Sequence, residues 1–313
     1  MSRAALLLTV ILASYGLLST LLALPVMLFA RKVITDMRLA SQELLALRLL
    51  PSVGAALITL LMIVPAFLRN EPVHERELPG PVLIALAVLA AIPLLAAAWR
   101  ILRALLATRS LARRTPVIAT LPSDLRCPVQ VIASEQPLVG VIGRWRPRIL
   151  IASQVVEACT ERELEYVLAH EVAHVEARDN LKRWLTIASA DLLCWTRAGR
   201  ELTSWWELAC ERAADDRATA GPREGPLHLA SALVKVSRLA GGQGTGLAAA
   251  GMPLTGFSSI EVRIRGLLGP RVPLRRGLRL SVCAALLLFA VAAAALPHSL
   301  VHEGIEALVK LGS

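Results

Sequence analysis

Cysteine and aromatic residues are both scarce in this sequence, and each scarcity excludes something. The five cysteines, Cys127, Cys159, Cys194, Cys210 and Cys283, are odd in number and form no C-x-x-C pair. A disulfide scaffold and a cysteine zinc site are therefore not expected, and the thiols read as small buried hydrophobes in a reducing compartment. Aromatics make up 4% of the chain although 55% of it is apolar, so the apolar content is aliphatic. Long stretches carry no charge at all, which is too apolar for an ordinary soluble protein and points to helices that cross a bilayer. Acidic residues are the minority, leaving a formal net charge of +10. The arginines cluster beside the apolar runs, where membrane orientation and anionic headgroups account for them. No nucleic-acid recognition motif accompanies them, and direct nucleic-acid binding is not expected.

Four apolar runs have spanning length. The first covers about Ala4 to Ala30 and is too long for a signal-peptide core, so it reads as a retained span. The second covers about Leu49 to Leu68, the third Pro81 to about Trp99, and the fourth Leu278 to Leu296. Arg31, Lys32, Arg38 and Arg48 fall between the first two, whereas the next loop, "RNEPVHERELPG", is acidic on balance. Arg100, Arg103, Arg109, Arg113 and Arg114 follow the third run, and Arg271, Arg275, Arg276 and Arg279 flank the start of the fourth. The bias of basic residues toward the inner side predicts both termini outside, with the first loop and the middle of the chain in the cytoplasm. The expected organisation is a three-span membrane domain (1–107), a cytoplasmic domain (108–277), and a fourth span with a short outer tail (278–313).

The middle segment carries scattered charges and folds on different rules. "VQVIA", "LVGVI" and "RILIA" are rich in β-branched residues and read as short strands. Thr160 with Glu163 forms a capping-box pattern that opens a helix running from Glu161 to about Ala177. "WLTIASADLLCW" (184–195) is apolar but short and reads as a packed or partly inserted helix. A further helix carries "WWELACERAADDRATA", and residues 240–256 are glycine-rich and read as a loop.

Only six histidines occur in the chain, and two of them stand four apart in "AHEVAH". Residues i and i+4 share a helix face, so His170 and His174 can aim both imidazoles at one metal ion. Glu171 stands beside the first, where its carboxylate can take a proton from an attacking water. This is the H-E-x-x-H arithmetic of zinc peptidases. A catalytic zinc needs a third protein ligand and an open position. No histidine follows at a suitable distance, so the ligand is sought among Glu207, Glu211, Asp215 and Asp216 of "ELACERAADDRA". Helical spacing puts Glu211 and Asp215 on one face with Glu207 one turn away; Asp215 can support a ligating histidine, and Asp216 reads as solvated.

"LAHEVAHVEARDN" followed by "ERAADDRA" resembles the membrane-embedded zinc peptidases of the BlaR/MecR type, the antirepressor signalling peptidases. "EQPLVGVIGRWRPRILI" (135–151) is similar to the strand segment that precedes their active-site helix. The resemblance implies an integral membrane, mainly α-helical fold: four transmembrane helices plus an α+β, zincin-like (glutamate-zincin) domain between spans three and four. It implies Zn²⁺ held by His170, His174 and Glu211, Glu171 as the catalytic residue, and a structural role for Asp179. The family frame E-x-x-C-D can be laid on Glu207 or on Glu211, and Glu211 is preferred with Glu207 as the alternative. The full-length sensors of this type carry an extracellular ligand-binding domain after the fourth span. This sequence reaches Ser313 soon after Leu296, so no such domain is expected; the signal is left open, with a separate sensor partner as one candidate source. The expected substrate is a cytoplasmic protein, a transcriptional repressor being one candidate, or the chain itself, cut at the inner or plasma membrane of the cell.

Two rival readings stand beside this one. The motifs are also similar to the Ste/HtpX membrane proteases of quality control and processing, which arrange their spans differently. A scaffold that signals without proteolysis is the other. Outside the motif, "HSLVHE" pairs His298 with His302 beyond the fourth span, and His74 lies in the other outer loop. Interfacial polar residues or a metal- or pH-sensing role both fit them. Trp184, Trp195, Trp205 and Trp206 fit either interfacial anchors or core packing. "LVGVI" or "RILIA" could offer a sheet edge to an extended substrate.

Overall fold

The computed structural model describes residues 2–36, 40–70, 79–121, 127–240 and 257–269, with 303, 304 and 307. The expected fourth span, Cys283, the loop around His74, residues 241–256 of the glycine-rich segment and the pair His298/His302 lie outside the described residues. The chain divides into two compact units, one made of the described parts of Met1–Trp99, Ala188–Trp205 and Leu274–Ser313, the other of Arg100–Ile187 and Trp206–Pro273.

The first unit is built on α1 (Arg3–Asp36), α2 (Ser41–Ile58), a π-helical turn (Thr59–Ile63), α3 (Val64–Asn70) and the first half of α4 (Pro81–Arg114). Among the described residues, three stretches are long and apolar enough to cross a membrane: Arg3–Leu28, Ser41–Arg69 and Pro81–Leu111. Leu28, Leu61 and Leu95 are 67–75% exposed, so the outside of this unit is apolar, as a hydrocarbon solvent requires. Inside, Val10, Ala13, Phe67, Leu83 and Ala87 pack together. A Cβ on Gly16 would lie 2.5 Å from that of Ala90, so this glycine is what lets α1 and α4 approach closely.

The second and third spans are longer than the sequence suggested. Arg48 is not a loop residue but sits within α2, 4% exposed. Its cost there is met by Asp191, fully buried, at 3.3 Å from the guanidinium. Ser52 also bonds Asp191 and accepts from the Ala190 N–H (3.0 Å), while Tyr15 donates to the Ala190 carbonyl (3.0 Å). This network explains a second correction. Segment 184–195 is not one helix: α7 (Asp179–Ala188) ends, residues 189–191 turn, and a 3₁₀ turn (Leu192–Trp195) follows. The break delivers Asp191 to Arg48, which a continuing helix would not do. Arg100, Arg103 and Arg109, expected directly after the third run, stand on the same helix, since α4 continues to Arg114.

The second unit opens with a four-stranded sheet, β1 (Val117–Leu121), β2 (Val129–Ile132), β3 (Val139–Ile142) and β4 (Arg148–Ala152), in the order β1-β2-β4-β3. β2 and β4 are parallel and the other pairs antiparallel. "RILIA" is interior, with a partner on each side, and "LVGVI" supplies an edge. β1, "VIATL", was not among the expected strands; three of its five residues are β-branched, yet four of the five are exposed. Gly143 turns the chain from β3 toward β4 with φ of +89°, where a Cβ would meet the Arg146 carbonyl oxygen. Val129, Ile132, Ile149, Ile151 and Val155 are fully buried members of the core cluster built around the sheet.

Six helices complete the described chain: α5 (Ser153–Ala158), α6 (Glu161–Ala177), α7, α8 (Arg197–Ala218), α9 (Gly225–Leu239) and α10 (Phe257–Leu268). The capping box at the start of α6 is formed, with Glu163 N–H donating to Thr160 Oγ1 and Thr160 N–H to Glu163 Oε2. Glu163 also accepts from Ser231 Oγ and Lys235 Nζ of α9, each at 2.6 Å. Burial works against its charge, but Lys235, Ser231 and Thr160 together hold its carboxyl down at about 2. Glu163→Ala should therefore cost about 2–3 kcal/mol, the range for hydrogen bonds to a charged group. Because the folded pKa is depressed, that stabilisation is present above about pH 4.5 and lost as pH falls toward 2. Thermal unfolding of the wild type and the variant at two pH values checks both statements.

Candidate metal centre

α6 places His170 and His174 one turn apart, and their rings meet edge to face with centroids 4.7 Å apart. The two Nε2 atoms converge to 3.1 Å. Glu211 of α8 joins them, with Oε2 3.4 Å from His170 Nε2 and Oε1 3.5 Å from His174 Nε2. Three donor atoms tetrahedrally placed on an ion at zinc–ligand distances would be separated by about 3.4 Å. Two imidazoles and a carboxylate are also a donor set that zinc accepts. The residues present thus fit a bound zinc ion in chemistry and in spacing.

Each histidine is oriented by a carboxylate behind it. Asp215 Oδ1 lies 2.9 Å from His170 Nδ1, and Asp179 Oδ2 lies 2.8 Å from His174 Nδ1. Occupying both Nδ1 atoms leaves both Nε2 atoms for a metal. The chain reaches the second arrangement through a local device. Arg178 caps α6 in the left-handed conformation (φ 55°) and closes it by donating its N–H to the His174 and Val175 carbonyls. The reversal starts α7 at Asp179, one residue on, and turns its carboxylate back to His174. Lys182 Nζ, 2.9 Å away, holds the other Asp179 oxygen.

Arg263 of α10 is the residue that sequence reading missed. It is 5% exposed and makes a bidentate pair with Asp215, Nε to Oδ2 at 2.9 Å and Nη2 to Oδ1 at 2.6 Å. Its Nη1 reaches Glu211 Oε2 at 2.9 Å. No spacing rule links position 263 to a motif some ninety residues earlier; only a buried arginine in the apolar repeat of "FSSIEVRIRGLL" hints at it. Burial would raise the Glu211 carboxyl, but the Arg263 charge and the hydrogen bonds from His170 and His174 hold it well below the usual carboxylate range. Burial and Arg263 press the His170 pKa down, and bonds to Asp215 and Glu211 raise it above its ordinary value. His174, also opposed by burial, is lifted to about 10 by Asp179, Glu211 and the nearby Glu171.

The remaining sequence candidates separate cleanly. Glu171 is 9% exposed and lies within electrostatic reach of His174 and Arg263. The Glu207 side chain is 37% exposed, and its near neighbour is Arg183 Nε at 3.9 Å, not the histidines. Asp216 is exposed, as a solvated position should be. Cys127 and Cys210 are buried and Cys159 and Cys194 partly so. Trp206 is 1% exposed and belongs to a core, whereas Trp195 and Trp205 are more than two-fifths exposed.

A metal entering this cluster must displace protons from the two raised histidines, so affinity should climb with pH through neutrality and up to about pH 10, where His174 loses its proton unaided. Titration calorimetry in buffers of different ionisation enthalpy should count about one to two protons released per ion near pH 7. Without metal the sign reverses: the His174 pairing stabilises fully below about pH 6.5 and fades as pH rises toward 10.

No curated protein gives a significant match to the chain. The family model of BlaR1 peptidase M56 does match, over residues 69–267, a stretch that holds the H-E-x-x-H helix, Glu211, Asp215 and Arg263. With a match over more than half of its length and three apolar helices of spanning length, this chain is a membrane protein that belongs to the BlaR1 peptidase M56 family.

Proposed function

We propose that this chain is a multi-pass membrane zinc endopeptidase that cuts a cytoplasmic protein, or itself, in a signalling role. The observation that carries the reading is the convergence of His170 Nε2, His174 Nε2 and Glu211, with a carboxylate fixing each histidine from behind. Zn²⁺ held there by His170, His174 and Glu211 would supply Lewis acidity toward a peptide carbonyl and toward water. Glu171 takes the proton of the attacking water and returns it to the leaving amine. Asp215 and Asp179 keep both histidines in the tautomer that leaves Nε2 unprotonated. An extended substrate segment adds to the β3 edge at Val139, whose side chain packs toward α6 and α9.

The proposed organisation keeps three spans in 1–107, the peptidase domain in 108–277 facing the cytoplasm, and a fourth span followed by a short outer tail in 278–313. A transcriptional repressor is one substrate class that family membership suggests, with a separate partner as sensor. Family membership also favours this reading over a Ste/HtpX-like one.

Metal analysis and self-cleavage of detergent-purified protein test the proposal. Wild type and Glu171→Gln should each hold about one zinc, and cleavage should fall by about 10²–10⁴-fold in the variant, the usual loss for a general acid–base group. Zinc bound equally in both but full biological function retained by Glu171→Gln would favour a scaffold. Failure of the wild type to take up zinc would overturn the metal reading.

A further inference from the structure

On the far side of the β3 edge lies a cleft of about 190 Å³, walled by the last turns of α4, the end of β3 and the outer face of α7. Among the described residues, three arginines line it, Arg109, Arg144 and Arg183, and no carboxylate does. We propose that this cleft is a binding site for the phosphate headgroup of an anionic phospholipid, with acyl chains running along α4.

Four observations converge on a lipid. The α4 wall, including Leu105 and Leu111, is the final stretch of the helix segment Pro81–Leu111 that is long and apolar enough to cross a bilayer. The cleft thus sits on the arginine-bearing end of that apolar run, the composition found where a helix meets lipid phosphates. Second, Arg183 lines the cleft with its side chain only 10% exposed, and its nearest carboxylate, Glu207, stays back at 3.9 Å, so its positive charge is only loosely balanced beside the cleft. Third, Arg144 stacks over the Trp184 ring at 4.6 Å, and the adjoining turn presents Trp145, 75% exposed, between Arg144, Arg146 and Arg148. Tryptophan framed by arginine is the composition of a membrane–water interface.

The fourth observation weighs against a peptide occupant. An extended peptide at this end of β3 would need outward backbone acceptors. The Val141 and Gly143 carbonyls already accept from the Asn180 amide, at 2.8 and 3.2 Å. The edge is closed here and open only nearer Val139. A lipid headgroup needs no backbone acceptor, only cationic donors beside an apolar wall.

Native mass spectrometry of the full chain, released from nanodiscs of phosphatidylcholine with phosphatidylglycerol, reads the site directly. Wild type should retain phosphatidylglycerol in preference to phosphatidylcholine. Arg109→Ala/Arg144→Ala removes two exposed cleft charges without touching the core, and retention should drop about tenfold or more. Arg223→Ala/Arg238→Ala removes the same charge elsewhere on exposed positions and should leave retention unchanged. Equal loss in both double variants would overturn the site in favour of diffuse charge attraction. Displacement of the lipid by millimolar inorganic phosphate would overturn the lipid assignment in favour of a free phosphate. Binding of an acidic peptide that depends on Arg109 and Arg144, with lipid retention unaffected, would assign the cleft to substrate.

Discussion

Glu211→Ala should weaken zinc binding by on the order of 10³-fold, while Glu207→Ala should change it by no more than about twofold. The two glutamates occupy consecutive turns of α8 and either can be laid on the same sequence frame, so the contrast is sharp. Glu211 is 4% exposed and touches both Nε2 atoms; Glu207 is more than one-third exposed and looks toward Arg183. Losing one of three ligands removes a share of a binding free energy that totals roughly 10–16 kcal/mol in four-ligand structural sites. Asp215→Asn and Asp179→Asn should fall between the extremes, at about 10–100-fold, because they orient ligands without touching the ion. Glu211→Gln serves as the shape-preserving control, since alanine also leaves Arg263 facing a gap. Competition with a chelating dye would rank all five variants. Equal losses at Glu207 and Glu211 would mean that α8 as a whole, not the Glu211 carboxylate, supports the metal.

That ranking also marks what the sequence made legible. The convergence of His170 and His174 was readable because an i, i+4 spacing encodes their shared helix face. The α6 boundaries were readable because the Thr160–Glu163 box opens the helix and the apolar period ends where it does. Three strands announced themselves through β-branched runs; β1, "VIATL", is just as rich in them but is mostly exposed and shows no apolar–polar alternation to mark a half-buried strand. Arg48 and Asp191 were misplaced for one reason. Hydropathy treats each charge singly, and two charges 143 positions apart in sequence cancel each other's cost only in three dimensions. Asp179 was seen as structural, and its role behind His174 depends on a left-handed Arg178 that no propensity scale favours. Arg263 follows the same logic at longer range: nothing local to α10 reports that a carboxylate pair waits on α8.

Arg263→Met should produce the largest change in stability, and the change should depend on metal. In the wild type the guanidinium faces Asp215 with two bonds and Glu211 with a third, and both carboxyls sit below their ordinary range, burial opposing and Arg263 among the causes. Methionine keeps the volume and apolar packing of α10 but strands both carboxylates. Removing one member of a buried ion pair costs about 3–5 kcal/mol, because the partner remains charged and unsolvated. In metal-depleted protein that whole cost should be felt. A zinc ion delivers two positive charges to the same carboxylate cluster, so the loaded variant should recover much of it. Linkage then requires that the variant gain more stability from zinc than the wild type does. The gap between melting temperatures with zinc and with chelator should therefore widen, by on the order of 10 °C for a domain of this size. Arg263→Lys, which keeps the charge but not the planar fork, should lie between the two. A loss of equal size with and without zinc would assign Arg263 to the docking of α10 alone. A narrowing gap would show that the guanidinium supports metal binding instead of balancing the site in its place.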